Sequence, residues 1–203
     1  MNGKEGVWEK VEAFRKEYLS GELSLLPVDV FSLVELKLKL DVIPFDDLFA
    51  KYDSDAAIIQ DFTGIYVDAE AYVLWEKGPV WKQNRLRFSV AHELGHYVLH
   101  RELAAKLHFQ SVEEFALWTR SHGGQKYTVE QAANEFAGRL LVPVERLQEL
   151  FDEFAAAFDA KVPHWRTSEG MRTAFAETVG PRFGVNAQVI VVRLDREGIW
   201  LAM

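Results

Sequence analysis

The chain has 203 residues, of which 49% are hydrophobic and 27% charged, with no cysteine and a formal net charge of −8. That length can bury a full core and fits one domain with at most a small appendage. The lack of cysteine excludes disulfides, thiolate metal knuckles, iron–sulfur clusters and cysteine nucleophiles, so any metal must be held by His, Asp or Glu. An acidic surface repels a phosphate backbone, and no apolar run approaches the roughly 20 residues that cross a bilayer. The start Met1-Asn2-Gly3-Lys4-Glu5 leads into a polar helical pattern instead of an apolar signal core, so a cytoplasmic protein is expected. The charge is uneven: residues 161–203 hold six Lys/Arg and four Asp/Glu, a balance of +2 that leaves −10 on the first 160.

Along the chain, Val7, Val11, Phe14, Tyr18 and Leu19 recur at helical spacing and predict an amphipathic helix over residues 6–19, ending near Gly21. Pro27-Val28-Asp29, followed by Phe31, Val34, Leu36 and Leu38, predicts a second helix with Pro27 near its N-terminus. Three short apolar stretches, Val42–Phe45, Ala56–Gln60 and Gly64–Val67, separated by turns that contain Asp and Gly, read as a small sheet. Residues 69–80 fit no single pattern, with Tyr72-Val73-Leu74-Trp75 as a candidate further strand. From Gln83 to His100 the pattern is helical, with Leu86, Val90, Leu94, Tyr97 and Val98 as its apolar stripe. A more polar stretch from Arg101 to Lys126, broken most clearly at Gly123-Gly124, leads to a helix over Val129–Leu141 that stops at Pro143, with Thr128 placed as its N-cap. Helical patterns continue from Val144 to Phe158, and Pro163 and Gly170 mark a boundary after them.

The chemistry concentrates on His92-Glu93-Leu94-Gly95-His96. Histidines at i and i+4 share one face of a helix, so the imidazoles of His92 and His96 can converge on one ion. Glu93, one residue after the first, can take a proton from an attacking water without itself holding the metal. Gly95 costs about 1 kcal/mol of helix stability relative to Ala unless close packing compensates. A catalytic zinc commonly has three protein ligands and an open position, and Glu130 is the expected third. It begins the run Glu130-Gln131-Ala132-Ala133-Asn134-Glu135-Phe136-Ala137, whose small alanines permit close approach of a second helix. Asn134, one turn later on the same face, can accept the free N–H of a ligand imidazole. Glu135 is the competing ligand, displaced by about 100° around the helix from Asn134. Zinc is the expected ion, although a His2Glu donor set is not exclusive to it.

Two blocks, residues 84–100 around the His-Glu-Leu-Gly-His motif and residues 130–143 from Glu130 to Pro143, resemble the ImmA/IrrE family of metallopeptidases, with a weaker similarity around Pro27–Phe45. The resemblance covers roughly residues 25–145. It implies an α+β, minimal zincin-like metallopeptidase of the gluzincin type, with a small N-terminal β-sheet, an active-site helix and a mainly helical C-terminal part. It also implies His92, His96 and Glu130 as zinc ligands, Glu93 as general base, and a DNA-binding transcriptional repressor as the substrate, cleaved in response to stress or damage. The residue that stabilises the oxyanion is not identified by the resemblance; Tyr127, His122 and His100 are candidates by polarity.

Val189-Ile190-Val191-Val192 has the β-propensity of a strand. Phe183-Gly184-Val185-Asn186 before Arg193-Leu194-Asp195-Arg196-Glu197-Gly198 nevertheless resembles the helix-turn-helix-like tail of this family, and a helix with Asn186 as N-cap is the favoured reading. The local charge of +2 makes it a scaffold and not a DNA contact. The expected organisation is a helical extension at residues 1–20, a metallopeptidase domain at 21–150 and a C-terminal helical segment at 151–203. Two rival functions remain at this stage: a non-catalytic, zinc-containing regulatory or toxin-type partner that acts by protein binding, and a DNA-binding regulator.

Overall fold

The computed structural model describes residues 3–21, 25–107, 114 and 125–200. The first helix, α1 (Gly3–Tyr18), begins three residues before its expected start and buries Val7, Val11 and Phe14. Asp29, not Pro27, starts the second helical segment: its carboxylate accepts the amide of Ser32 at 3.0 Å. One α-helical turn, α2 (Val30–Ser32), then continues as a π-helical turn over Leu33–Lys37. Phe31 and Val34 are buried, but Leu36 is 62% exposed, so the apolar pattern there is only partly used for the core.

The small sheet forms where the apolar runs place it. Strand β1 (Asp41–Phe45), helix α3 (Leu48–Tyr52), β2 (Ala56–Ile58) and β3 (Gly64–Asp68) follow in order, and the sheet runs β1-β3-β2. Strand β3 pairs parallel to β1, with Ile43 opposite Tyr66, and antiparallel to β2, with Ala57 opposite Tyr66. The candidate strand at Tyr72–Trp75 does not form. Asp68 at the end of β3 accepts the amide of Ala71 at 3.0 Å and starts a short helix, α4 (Ala69–Val73), in its place. The same carboxylate accepts the amide of Phe49 at 3.0 Å, so a single aspartate ties α3, β3 and α4 together.

The long helix α5 (Val80–Ala104) has 25 residues, roughly 37 Å at 1.5 Å per residue. Strand β2 lies along it on one side and helix α6 (Gln125–Leu141) on the other. Thr128 is not the cap of α6; the helix begins three residues earlier, since nothing after Gly124 breaks it. Pro143 separates α6 from α7 (Val144–Phe158). A 3₁₀ turn (Trp165–Thr167) leads to α8 (Glu169–Phe183), whose N-cap Ser168 accepts the amide of Met171 at 3.3 Å, and Gly184 at φ +62° turns the chain towards α9 (Ala187–Glu197). Phe151, Phe154, Trp165, Phe175 and Trp200 interlock beneath these C-terminal helices.

The Val189–Val192 run is helical, as favoured, because tertiary contacts override strand propensity. Ile190 and Leu194 enter the core, and Arg193, 1% exposed, joins a buried charge network. Its guanidinium pairs with Glu135 at 2.6 Å and with Glu197. Arg139 binds Glu197 at 2.7 Å and Glu12 at 2.9 Å. Three helices, α1, α6 and α9, are thereby tied by ion pairs, which buried charges require. Asn186 occupies the N-cap position without capping: its amide instead donates to the Trp81 carbonyl at 3.3 Å, anchoring the turn to the start of α5.

Helices α5 and α6 approach closely at Gly95. A Cβ built on Gly95 would stand 2.9 Å from both Cα and the carbonyl oxygen of Ala133, and 3.2 Å from Cβ of Phe136. The two nearest are backbone atoms, which cannot swing aside. Gly95→Ala gains about 1 kcal/mol in helix propensity but forces overpacking that costs about 1–3 kcal/mol. Net destabilisation on the order of 1 kcal/mol is expected in urea unfolding, and a stabilised variant would show that the helices are less tightly apposed.

Candidate metal centre

Helix α5 presents His92, His96 and His100 at successive i+4 positions, and α6 presents Glu130 and Asn134 one turn apart. Because Gly95 brings the two helices together, these faces meet. Nε2 of His92 lies 3.0 Å from Nε2 of His96. The Glu130 carboxylate spans both rings, with Oε2 at 3.3 Å from His92 Nε2 and Oε1 at 3.2 Å from His96 Nε2. These three side chains are the group, among the described residues, whose ligand atoms converge closely enough to hold a metal ion. Ligands about 2.0–2.1 Å from a tetrahedral ion stand roughly 3.3 Å from one another, close to the separation of each imidazole nitrogen from one oxygen of the carboxylate. The donor set of two imidazoles and a carboxylate suits a divalent cation.

The ring orientations have identifiable causes. Nδ1 of His92 lies 3.0 Å from Oδ1 of Asn134, and a carboxamide oxygen only accepts, so the His92 proton sits on Nδ1 and its Nε2 lone pair turns to the cluster. Nδ1 of His96 is 3.2 Å from Nδ1 of His100. His100 is fully buried, with its Nδ1 turned to His96. His122 and the side chain of Tyr127 lie outside the described residues, as does Trp118 in the same stretch.

Electrostatics mark the cluster as well. Burial lowers the affinity of His92 for a proton, but hydrogen bonding to Glu130 and the charges of Glu93 and Glu130 outweigh it, and its pKa is raised. Burial would raise the Glu130 carboxyl, yet hydrogen bonds from His92 and His96 bring it down to about 2. Burial, followed by the charge of His96, pushes His100 down to about 3.

Glu93 is 8% exposed and stands beside the triangle, not in it. Its Oε2 accepts the backbone amide of Ile58 in β2 at 2.8 Å. Sequence reasoning did not find this contact, because it depends on how the sheet docks on α5. Glu135, the competing ligand, points away to Arg193 and to the indole N–H of Trp8. Its rotation of about 100° around α6 serves the charge network.

Residues 82–195 match the family model of the IrrE N-terminal-like domain, peptidase family M78. The chain belongs to this family. The match runs from the first turn of α5 to the last turns of α9, so the M78 domain includes both helices that build the cluster together with the C-terminal pair. No curated protein matches the chain. M78 peptidases are metal-dependent, and the His92, His96 and Glu130 cluster can hold the ion such a peptidase requires. Among the described residues, no helix is long and apolar enough to cross a membrane.

The cluster makes metal-free stability depend on pH. The fold holds Glu130 below its ordinary value of 4.5, so its ionised form stabilises the native state above that pH, and the contribution is lost as pH falls towards 2. His92 has the opposite sign: its raised pKa favours the fold below 6.5 and the benefit fades at higher pH. In chelator-treated protein, thermal unfolding of wild type should fall more steeply between pH 4.5 and 2 than that of Glu130→Gln; parallel curves would refute the coupling.

Proposed function

We propose that this protein is a zinc-dependent endopeptidase of the cytoplasm that cleaves a DNA-binding transcriptional repressor and so relieves repression under stress or damage. The observation that carries the catalytic part is the convergence of His92 Nε2, His96 Nε2 and the Glu130 carboxylate, close enough to hold one ion, with the Glu93 carboxylate fixed beside it. The repressor as substrate rests on the resemblance of the two motif blocks to the ImmA/IrrE family.

In this reading His92, His96 and Glu130 hold the ion, and Asn134 keeps the His92 ring turned towards it. Zinc, when bound, supplies a Lewis acid that polarises the scissile carbonyl and makes water a better nucleophile at neutral pH. Glu93 takes the proton from the attacking water and delivers it to the leaving amine. The Ile58 amide keeps one oxygen of that carboxylate engaged, so the group is oriented before substrate arrives. The buried position of Glu93 also strengthens its hydrogen bonds relative to those in water.

Direct DNA contact is not part of the proposal. Arg193 is buried in its ion pairs, while Arg166 pairs with Asp159 and Arg172 with Asp195, so the basic residues of the C-terminal helices are largely spent within the fold.

Glu93→Gln keeps the shape of the side chain but removes the base. Labelling of new protein N-termini in cells expressing wild type or this variant should reveal cleavage of a DNA-binding regulator with wild type, reduced by at least about 10²-fold in the variant. Identical sets of termini, together with an unchanged biological effect of the variant, would favour a non-catalytic, zinc-containing regulatory or toxin-type partner.

A further inference from the structure

The motif helix carries a third histidine in line with the first two, and the proposed catalytic scheme leaves it unused. His100 is 0% exposed. Its Nδ1 faces Nδ1 of His96 at 3.2 Å, and its Nε2 has no hydrogen-bond partner among the described residues. A buried polar atom without a partner is destabilising, so an apolar side chain would serve packing better at this position. The polarity of the ring therefore calls for an explanation, and its one side-chain hydrogen bond among the described residues is with a side chain of the cluster.

We infer that His100 is a positioning residue for the metal centre: its Nδ1 accepts the Nδ1 proton of His96 and fixes the tautomer in which the Nε2 lone pair of His96 faces His92 and Glu130. The inference rests on the reading that the triangle holds a divalent ion. The logic is that of a single proton between two nitrogens. With the proton on His96 Nδ1, the Nε2 lone pair is available and His100 carries its own proton on Nε2. With the proton on His100 Nδ1, the His96 proton moves to Nε2 and points at Oε1 of Glu130, 3.2 Å away, which blocks ligation. His100 thus does for His96 what Asn134 does for His92, and both are uncharged acceptors where a carboxylate or carbonyl often serves.

This separates His100 from a merely space-filling residue. In asparagine, Oδ1 takes nearly the place of histidine Nδ1 and can only accept; leucine fills a similar volume and cannot accept. Zinc affinity should be measured by competition with a chromophoric chelator at neutral pH on wild type, His100→Leu and His100→Asn. Circular dichroism of the metal-free proteins would confirm that each is folded. Loss of an orienting partner typically weakens metal binding 10- to 100-fold, so His100→Leu should bind zinc that much more weakly, with His100→Asn within a few-fold of wild type. A folded His100→Leu protein with wild-type affinity, or a folded His100→Asn protein as weak as the leucine variant, would overturn the inference while leaving the zinc site intact. Failure of wild type itself to bind zinc would overturn both the site and the inference. Should His100→Leu not fold, nitrogen-15 NMR of the rings in zinc-loaded wild type decides the matter: the proton is expected on Nδ1 of His96 and on Nε2 of His100, and a proton on Nδ1 of His100 would refute the assignment.

Discussion

Whether the two donor helices can share an ion depends on how near they come, and that distance is set where Gly95 meets the backbone of Ala133. No Cβ fits between them. The helix gives up propensity at Gly95, and the glycine lies between the two histidines of the cluster, so this close contact falls within a turn of the atoms that must converge. Ala132, Ala133 and Ala137 extend the same close packing along α6. A larger side chain along this seam would hold Glu130 away from the imidazoles, since the carboxylate reaches both rings at little more than 3 Å.

Helix α6 divides its labour around its circumference. One face carries Glu130 and Asn134 towards the histidines. The next residue, Glu135, points elsewhere and is held by Arg193 of α9, with Trp8 of α1 donating to it. Arg139, one turn further, binds Glu12 and Glu197. Buried ion pairs seldom add much net stability, but they are costly to break and so favour one arrangement of the elements that carry them. In this protein they fix the rotation of α6 about its axis, and hence where the carboxylate of Glu130 lies. The N-terminal and C-terminal helices are thereby part of the support for the site, although neither supplies a residue to it.

Much of this was legible from residue order because it depends on local period. The presence of α5, the extent of α7, the three short strands, and the sharing of a face by His92 and His96 and by Glu130 and Asn134 all follow from spacing along one element, although α5 runs past its expected bounds at both ends. The cost of Gly95 also pointed to close packing. The features that escaped such reading depend on distant partners or on a single cap. Tyr72–Trp75 has the composition of a strand, but the Asp68 carboxylate starts a helix just before it. Val189–Val192 has strand propensity, so its helix was legible only through the resemblance of the tail to the family; the burial of Ile190, Arg193 and Leu194 stabilises it. The amide of Ile58 on Glu93 required the docking of β2 on α5. His100 stood at the right spacing from His96, yet only the three-dimensional arrangement turns its Nδ1 towards the ring it supports.

The central claim is that His92, His96 and Glu130 form one metal centre. The most direct test is the metal content of wild type, His92→Ala and Glu130→Ala, purified identically without an affinity tag of histidines and measured by elemental mass spectrometry. About one zinc per chain in wild type, lost from both variants, is the predicted result. A wild-type protein that takes up no metal even when zinc is supplied, or a Glu130→Ala protein that retains a full equivalent, would contradict it.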